Sequence, residues 1–476
     1  MERRWKILLL VSVGNAMSFL DLFIVNIAFP DVARDFPNES LATLSWILNT
    51  YTILLAALLV PAGRWADLVG RKRVFLAGLS VFVLASTGCA VAPSVGFLIG
   101  ARAVQATGAA MMIPSSLGLC LPEFPLNQRT TAVGAWAAVG SVAAAAGPPL
   151  GGVLVQASWR WVFLVNLPIG IVLALIAARV LSESKDPTGG KRPDVIGAAC
   201  LALGVGALVL AIIEGPHWGW ASARVIAGFA TAAVLLPLVI ARSARHAAPV
   251  VDLSILRAPS FSVASTAIVF FFAGFAAFLL SSVLYLTEIW HYSILSAGLA
   301  LAPGPLLAGV SAAAAGRLSD RIGRRLVGIV GALLFAVGAV WLVWQVGARP
   351  DYLAEFFPSL ILTGVGGGLA SPAIITAAIY SVPAARIATG AAVAVMLRQI
   401  GGALGVAVLI AILGSGVTTL TLSGFDQTWE FIAVCGFATA VVCLRLRRTP
   451  VGASVEDHNG SALLTPIEPR FDRSTL

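Results

Sequence analysis

The sequence predicts an all-α integral membrane protein of fourteen spanning helices, arranged as two six-helix halves with two further helices inserted between them. Three observations carry this: the composition, the spacing of long apolar stretches, and an internal repeat. Of 476 residues, 59% are hydrophobic and only 11% are charged, whereas soluble domains carry roughly a quarter of their residues as charges. No soluble fold hides so much apolar surface. The apolar stretches are about 20 residues long, enough to cross a hydrocarbon layer of roughly 30 Å as helices.

The first stretch covers about 7–29 and follows the basic start MERRWK. A signal peptide opens in the same way, but here the apolar run continues past Asp21 to Ile27 without a small-residue cleavage site, so it reads as a retained first helix. Further spans fall at about 44–63, 73–92, 96–120, 130–154 and 161–182, which completes the first half. The inserted pair is 194–214 and 222–241. The second half follows at about 260–286, 293–314, 325–346, 353–378, 387–414 and 428–446, each span cut off by a charged or Pro/Gly-containing gap. Beyond Arg448 no apolar period is sustained, and the segment reads as a disordered cytoplasmic tail. The expected domains are therefore 1–182, 183–259, 260–446 and 447–476.

Topology follows from the basic residues. Even-numbered gaps hold Arg71, Lys72, Arg73, Arg129, Lys185, Lys191, Arg192, Arg242, Arg245, Arg257, Arg317, Arg321, Arg324, Arg325 and Arg386, while odd-numbered gaps hold only Arg34, Arg160, Arg224 and Arg349. Positive residues stay on the cytoplasmic side, so both termini are expected in the cytoplasm. The formal charge of +9 is thus a matter of topology and not of nucleic-acid binding, since the bases do not cluster on one soluble face. All five cysteines lie inside apolar stretches without paired spacing, which gives neither a disulfide framework nor a metal site.

The repeat appears when GRWADLVGRKR, Gly63 to Arg73, is laid on GRLSDRIGRR, Gly316 to Arg325. Each follows one apolar helix and precedes another. Gly108 to Pro114 and Gly366 to Pro372 share a second spacing at a similar offset, as do Gly134 and Gly390.

GRWADLVGRKR resembles the loop between helices 2 and 3 of the major facilitator superfamily, whose pattern is G-x-x-x-D-x-x-G-R-[RK]. Gly63, Asp67, Gly70, Arg71 and Lys72 occupy its positions, and Gly316, Asp320, Gly323 and Arg324 occupy them in the second copy. Such a loop is expected to latch the cytoplasmic side in one state, its acid capping a helix or pairing with a base; plain positive-inside charge is the competing account. SFLDLFIVNIAFPDV, GARAVQATGAAMMIP and GSVAAAAGPPLGGVLVQASWRWVFLVNLPIG are similar to segments of the fourteen-spanner drug:proton antiporter family within that superfamily, and RQIGGALG at Arg398 to Gly405 is typical of the same branch. The likeness covers about 7–446 and implies a major facilitator fold, proton-coupled export, and a bacterial inner membrane. The helix 4 pattern usually has Gly where this chain has Ala106, which leaves the packing there open.

Among 22 acidic residues only Asp21 lies deep in a span, where an ionisable group is costly enough to be a functional candidate. Counting about 1.5 Å per residue brings Asp21 in span 1 and Arg102 in span 4 to similar depth, and the resemblance also places helices 1 and 4 together. We expect Asp21 to take and release the coupling proton, with burial favouring the protonated carboxyl and an approaching Arg102 favouring the carboxylate. A permanent structural ion pair is the alternative. Gln105 shares the face of Arg102. Arg398, the other deep base, is expected to meet backbone carbonyls, substrate or Asp21.

In GPPLGG, Pro148 and Pro149 remove backbone donors and bend the helix, while Gly147, Gly151 and Gly152 admit a second helix closely; the resemblance makes this the antiporter motif. The expected substrate cavity lies between the halves near the bilayer midplane. Its candidates are Asn26, Gln105, Met111, Met112 and Arg398, with Phe23, Phe271, Phe272 and Met396 as further soft or aromatic lining. Lipophilic-cation exporters often carry extra deep acids, and their absence here favours neutral or anionic substrates. The expected partners are a small-molecule substrate and the lipid bilayer, with no nucleic acid, no cofactor beyond protons and no metal, in a monomeric protein. Importer and lipid-exporter roles would use the same halves. An enzyme is not expected, since HExxH, a nucleophile elbow and a Walker loop are all lacking.

Overall fold

The computed structural model describes residues 2–125, 128–185, 192–379, 381–382, 387–414 and 420–446. The expected tail, 447–476, lies outside the described residues, as do Lys191, Arg386 and the side chain of Asp320. The chain folds into α1 (Arg3–Asp35), α2 (Leu41–Val69), α3 (Arg71–Ala90), α4 (Val95–Cys120), α5 (Arg129–Val155) and α6 (Trp161–Val180). There follow α7 (Val195–Trp218) and α8 (Ala223–Ser243), then α9 (Pro259–Ile289), α10 (Ile294–Ser319), α11 (Arg324–Gln345), α12 (Tyr352–Ile379), α13 (Ile387–Leu413) and α14 (Leu422–Cys443).

Among the described residues, 12 of these helices are long and apolar enough to cross a membrane. The sequence predicts fourteen spans; α5 and α14 are the two outside that group. In α14 the first turns carry Asp426, Gln427 and Glu430, which dilute its apolar content.

Local chemistry sets many of the helix starts. Ser40, Ser94, Asp194, Ser222 and Thr421 each accept a backbone N–H from the first turn of the helix they precede, satisfying a donor that has no partner within the helix. Gly70 (φ 128°) and Gly323 (φ 87°) join α2 to α3 and α10 to α11, taking a backbone conformation that a Cβ disfavours.

The internal repeat has a packing counterpart. A Cβ on Gly78 of α3 would come within 2.9 Å of the Gly108 oxygen on α4, and one on Gly331 of α11 within 2.8 Å of the Gly366 oxygen on α12. Both pairs let two backbones touch, as small residues do in membrane helix pairs. The inserted helices α7 and α8 pack on each other, and α7 also packs on α2 and α13, at the seam between the first and last six helices. Arg242 Nε donates to the buried Asp194 Oδ1 at 2.6 Å, fastening the end of α8 to the start of α7.

Arg3, Arg71, Lys72, Arg73, Arg179 and Arg245 sit at one end of the bundle, here called the basic face, and the opposite end is the far face. At the far face the two halves share one core, in which Ile24, Phe29, Leu48 and Phe163 join Phe271, Leu284, Trp290 and Trp429. Toward the basic face the first half keeps a separate core of its own, built on Val11, Phe75, Phe82 and Met112. From the second half, Ala392 and Val395 of α13 reach this separate core. Among the described residues the halves are thus joined by a shared core at the far face, and toward the basic face they meet through α13.

Candidate functional site

A network of buried polar side chains lies inside the first half, where α1, α3, α4 and α6 converge. Arg102 Nη1 donates to Asp21 Oδ2 at 2.5 Å and to Gln105 Oε1 at 2.7 Å. Gln105 Nε2 donates to Asp21 Oδ1 at 2.7 Å and lies 2.7 Å from Ser86 Oγ. Asn166 Nδ2 reaches Asp21 Oδ1 at 3.3 Å and Ser86 Oγ at 3.2 Å. Arg102 Nε also donates to the Ile47 carbonyl at 3.1 Å, which ties in α2, and its guanidinium carbon stands 4.2 Å from the Tyr51 ring centroid. All five polar side chains of this network are fully buried.

The arrangement is that of a carboxylate with both oxygens engaged by a charged donor and two amides. Replacing either member of the Asp21–Arg102 pair by a neutral side chain would leave the other charge buried without a counter-charge, which is strongly unfavourable in a low-dielectric interior. Ser86 and Asn166 were not among the candidates read from sequence; Asn166, inside the apolar run WRWVFLVNLPIG, carried the only available signal.

The expected cavity residues separate. Gln105 belongs to the Asp21 network. Asn26 turns its amide back on its own helix, donating to the Leu22 carbonyl at 2.7 Å. Met111 and Met112 do not line the interface in this structure: they are buried in the core of the first half, Met111 against Gly78 and Met112 beside Gly14. Helix 4 is rotated so that this pair faces α3 and α1, an orientation that an apolar run all round does not specify. Arg398 lies at the meeting of the halves, its guanidinium carbon 4.6 Å from the Phe19 ring centroid and 5.3 Å from that of Phe272.

At the basic face, Arg71 Nε and Nη2 approach Asp67 Oδ1 at 2.9 and 2.8 Å, and Arg71 Nη1 donates to the Gly118 carbonyl at 3.1 Å. Gly63 packs against Pro114. Glu183, absent from the sequence candidates, accepts the Lys72 and Arg73 backbone N–H groups at 3.0 and 3.3 Å, while Lys72 Nζ donates to the Ala178 carbonyl. A Cβ on Gly70 would lie 2.7 Å from the Glu183 carboxyl. The loop is thus fastened to α4 and to the end of α6, within the first half. In the second copy, Gly323 makes the turn and Arg324 starts α11, Gly316 has no described neighbour within 4 Å of an added Cβ, and the Asp320 side chain is outside the description.

The GPPLGG residues face two ways. Gly147 and Gly151 admit α1, since added Cβ atoms would come within 2.7 Å of Phe23 Cβ and 3.0 Å of Ile24. Gly152 faces the second half, where a Cβ would lie 3.1 Å from Leu295 Cα. Pro148 and Pro149 lie inside the helix, and the Pro148 carbonyl faces Gly298 of α10. Nearby, Arg34 and Glu288 form an ion pair across the seam at 3.4 Å. Among the described residues no group of three or more His, Cys, Asp or Glu side chains is placed to hold a metal ion.

Comparison with known proteins agrees with this architecture. The Major Facilitator Superfamily model matches residues 11–406 and 266–469. Multidrug resistance protein Stp of Mycobacterium tuberculosis is 34% identical over 410 residues, 86% of this chain and 75% of that protein. Methylenomycin A resistance protein of Streptomyces coelicolor is 31% identical over 85% of each chain, and the cephamycin export protein CmcT of Amycolatopsis lactamdurans is 32% identical over 98% of this chain and 93% of its own. Among solved structures, a bacterial homolog of the human lysosomal transporter Spinster, in an inward-facing and unoccupied conformation, superposes with a TM-score of 0.66 at 16% identity over 94% of this chain and 99% of its own. With a family match spanning nearly its whole length, the chain belongs to the Major Facilitator Superfamily and is a multi-pass membrane transporter, not an enzyme.

Proposed function

We propose that this transporter is a proton-coupled antiporter that exports drugs, antibiotics or similar amphipathic small molecules by alternating access. The observation that carries the reading is the buried Asp21–Arg102 pair, in a chain whose relatives are named for drug and antibiotic resistance and export. A proton on Asp21 removes the counter-charge of Arg102 and releases the hydrogen bonds that join α1 to α4 and α6. Proton occupancy therefore biases helix packing, which is what coupling requires. Contact between Asp21 and Arg102, together with halves joined at the far face, suits the step after a proton has left and before substrate has entered.

In this reading α5 and α14 are spans alongside the other twelve, the arrangement is 6 + 2 + 6 as in the fourteen-spanner drug:proton antiporter branch, and 183–259 is the inserted pair with its linkers. The basic face lies in the cytoplasm of a bacterial cell with both termini, as positive-inside charge favours. The loop from Gly63 to Lys72 and its repeat at Gly316 to Arg324 form the cytoplasmic latch, the GPPLGG helix seals the far side, and the protein works as a monomer. A narrower reading, export of one metabolite, is favoured by the near full-length match to the cephamycin export protein.

The test is substrate-evoked proton flux in proteoliposomes under an imposed pH gradient, comparing the wild type with Asp21→Asn. Flux that is lost in the variant supports antiport. Full proton-driven transport by Asp21→Asn would rule out Asp21 as the coupling site.

A further inference from the structure

We propose that Arg398 is an anion-binding element at the centre of the transporter, and that its best substrates carry a negative charge on or beside a flat aromatic ring. The proposal rests on the reading of the interface between the halves as the substrate site, and it names the chemistry of that site.

Arg398 of α13 stands between one ring from each half, Phe19 of α1 and Phe272 of α9. Among the described residues its guanidinium has neither a hydrogen bond nor an ion pair. Rings satisfy its faces through cation–π attraction, but its five N–H donors point along the plane, where a ring offers no acceptor. An unpaired charge deep in a membrane protein is expensive to keep, and an anionic ligand resolves that.

Asp21 is not the missing partner. It lies two residues from Phe19, about 200° around α1 and so on the opposite face, with both oxygens taken by Arg102, Gln105 and Asn166. Beside Phe19, Asn15 is fully buried and neither its amide oxygen nor its nitrogen has a partner. Its amide nitrogen and the Phe19 ring both lie against Gly140 of α5. Phe272 and Phe275 pack edge to face, and Phe275 meets Phe23 across the seam at 6.3 Å, an aromatic surface that suits a flat ligand.

The sequence holds Arg398 in place. One and two turns on, Gly401 and Gly405 press α13 onto the backbone of α9: a Cβ on Gly401 would lie 2.6 Å from the Val269 carbonyl oxygen, and one on Gly405 would collide with that of Ala273. This close approach fixes the distance from Arg398 to Phe272.

The test is equilibrium binding to the full chain in detergent, with no gradient, of three matched fluorescent probes: 9-anthracenecarboxylate, 9-anthracenemethanol and 9-anthracenemethylammonium. The wild type should bind the carboxylate at least tenfold more tightly than the ammonium. Arg398→Gln should lose at least tenfold for the carboxylate and none for the ammonium, Arg398→Lys should fall between, and Phe272→Leu should weaken all three. Equal affinity of the wild type for both charges, or carboxylate affinity unchanged in Arg398→Gln, overturns the proposal. So does a site that binds acetate and chloride as well as the anthracene anion, since that is a small-ion site. Because the wild-type comparison needs no variant, a poorly folded Arg398→Gln leaves a decisive arm standing. Because no proton is involved, failure of Asp21→Asn to alter flux would sink the coupling mechanism without touching this one.

Discussion

Gly152 of α5 and Gly298 of α10 meet across the seam between the halves: a Cβ added to Gly298 would lie 3.3 Å from Gly152 Cα and 2.6 Å from the Pro148 carbonyl oxygen. The far-face closure depends on this pair having no side chains. Gly298→Leu should therefore disfavour the closed far face, overpacking of this kind costing about 1–3 kcal/mol, or roughly a 5- to 150-fold shift in population. A disulfide engineered as Arg34→Cys with Glu288→Cys, which replaces the ion pair spanning the seam, reports closure. Its rate of formation should fall at least fivefold when Gly298→Leu is added, and an unchanged rate would show that the seam closes elsewhere.

The Asp21–Arg102 pair makes a stability prediction separate from transport. Arg102→Ala leaves a buried carboxylate without its cation, and breaking one side of such a pair costs about 3–5 kcal/mol. Asp21→Asn combined with Arg102→Gln removes both charges and should recover much of that loss in thermal unfolding. If the double variant unfolds as readily as Arg102→Ala alone, the pair's charge is not what stabilises the first half.

What could be read from sequence divides by how conspicuous each residue is against an apolar background. Asp21 and Arg102 stand out because charges inside spans are rare, and counting residues brings them to one depth; the structure places them in contact. Ser86 and Asn166 do not stand out, since small neutral polar residues are ordinary in membrane helices. Met111 and Met112 show the other limit: an apolar run sets the depth of a helix but not its rotation, so the face they occupy was open. The repeat of GRWADLVGRKR was legible as a pattern, yet the tie from Glu183 to the start of α3 was not, because it joins residues 110 or more apart in the chain.

That tie is itself testable. Glu183 accepts two N–H groups in the first turn of α3 and is partly exposed, so Glu183→Ala should act as loss of a helix cap and lower stability by about 1 kcal/mol. The effect should concentrate locally, as faster hydrogen exchange of the Lys72 and Arg73 amides, with the Asp21 network unchanged. Uniform acceleration throughout the first half would mean that the contact stabilises the whole domain and not the loop.

Asn166 offers a probe of the Asp21 network because it touches Asp21 without carrying charge. Its Nδ2 donates to Asp21 Oδ1 at 3.3 Å and to Ser86 Oγ at 3.2 Å, which ties α6 to α1 and α3. Asn166→Ala removes that donor and should lower thermal stability by about 1 kcal/mol. Asn166→Asp places a like charge beside the buried carboxylate and should destabilise the first half further. Asn166→Leu removes the donor but fills the space, so it separates hydrogen bonding from packing: a loss equal to that of the alanine variant assigns the effect to the lost bond. A melting temperature that stays put in all three variants would mean that the contact with Asp21 does not help to hold α6 in place.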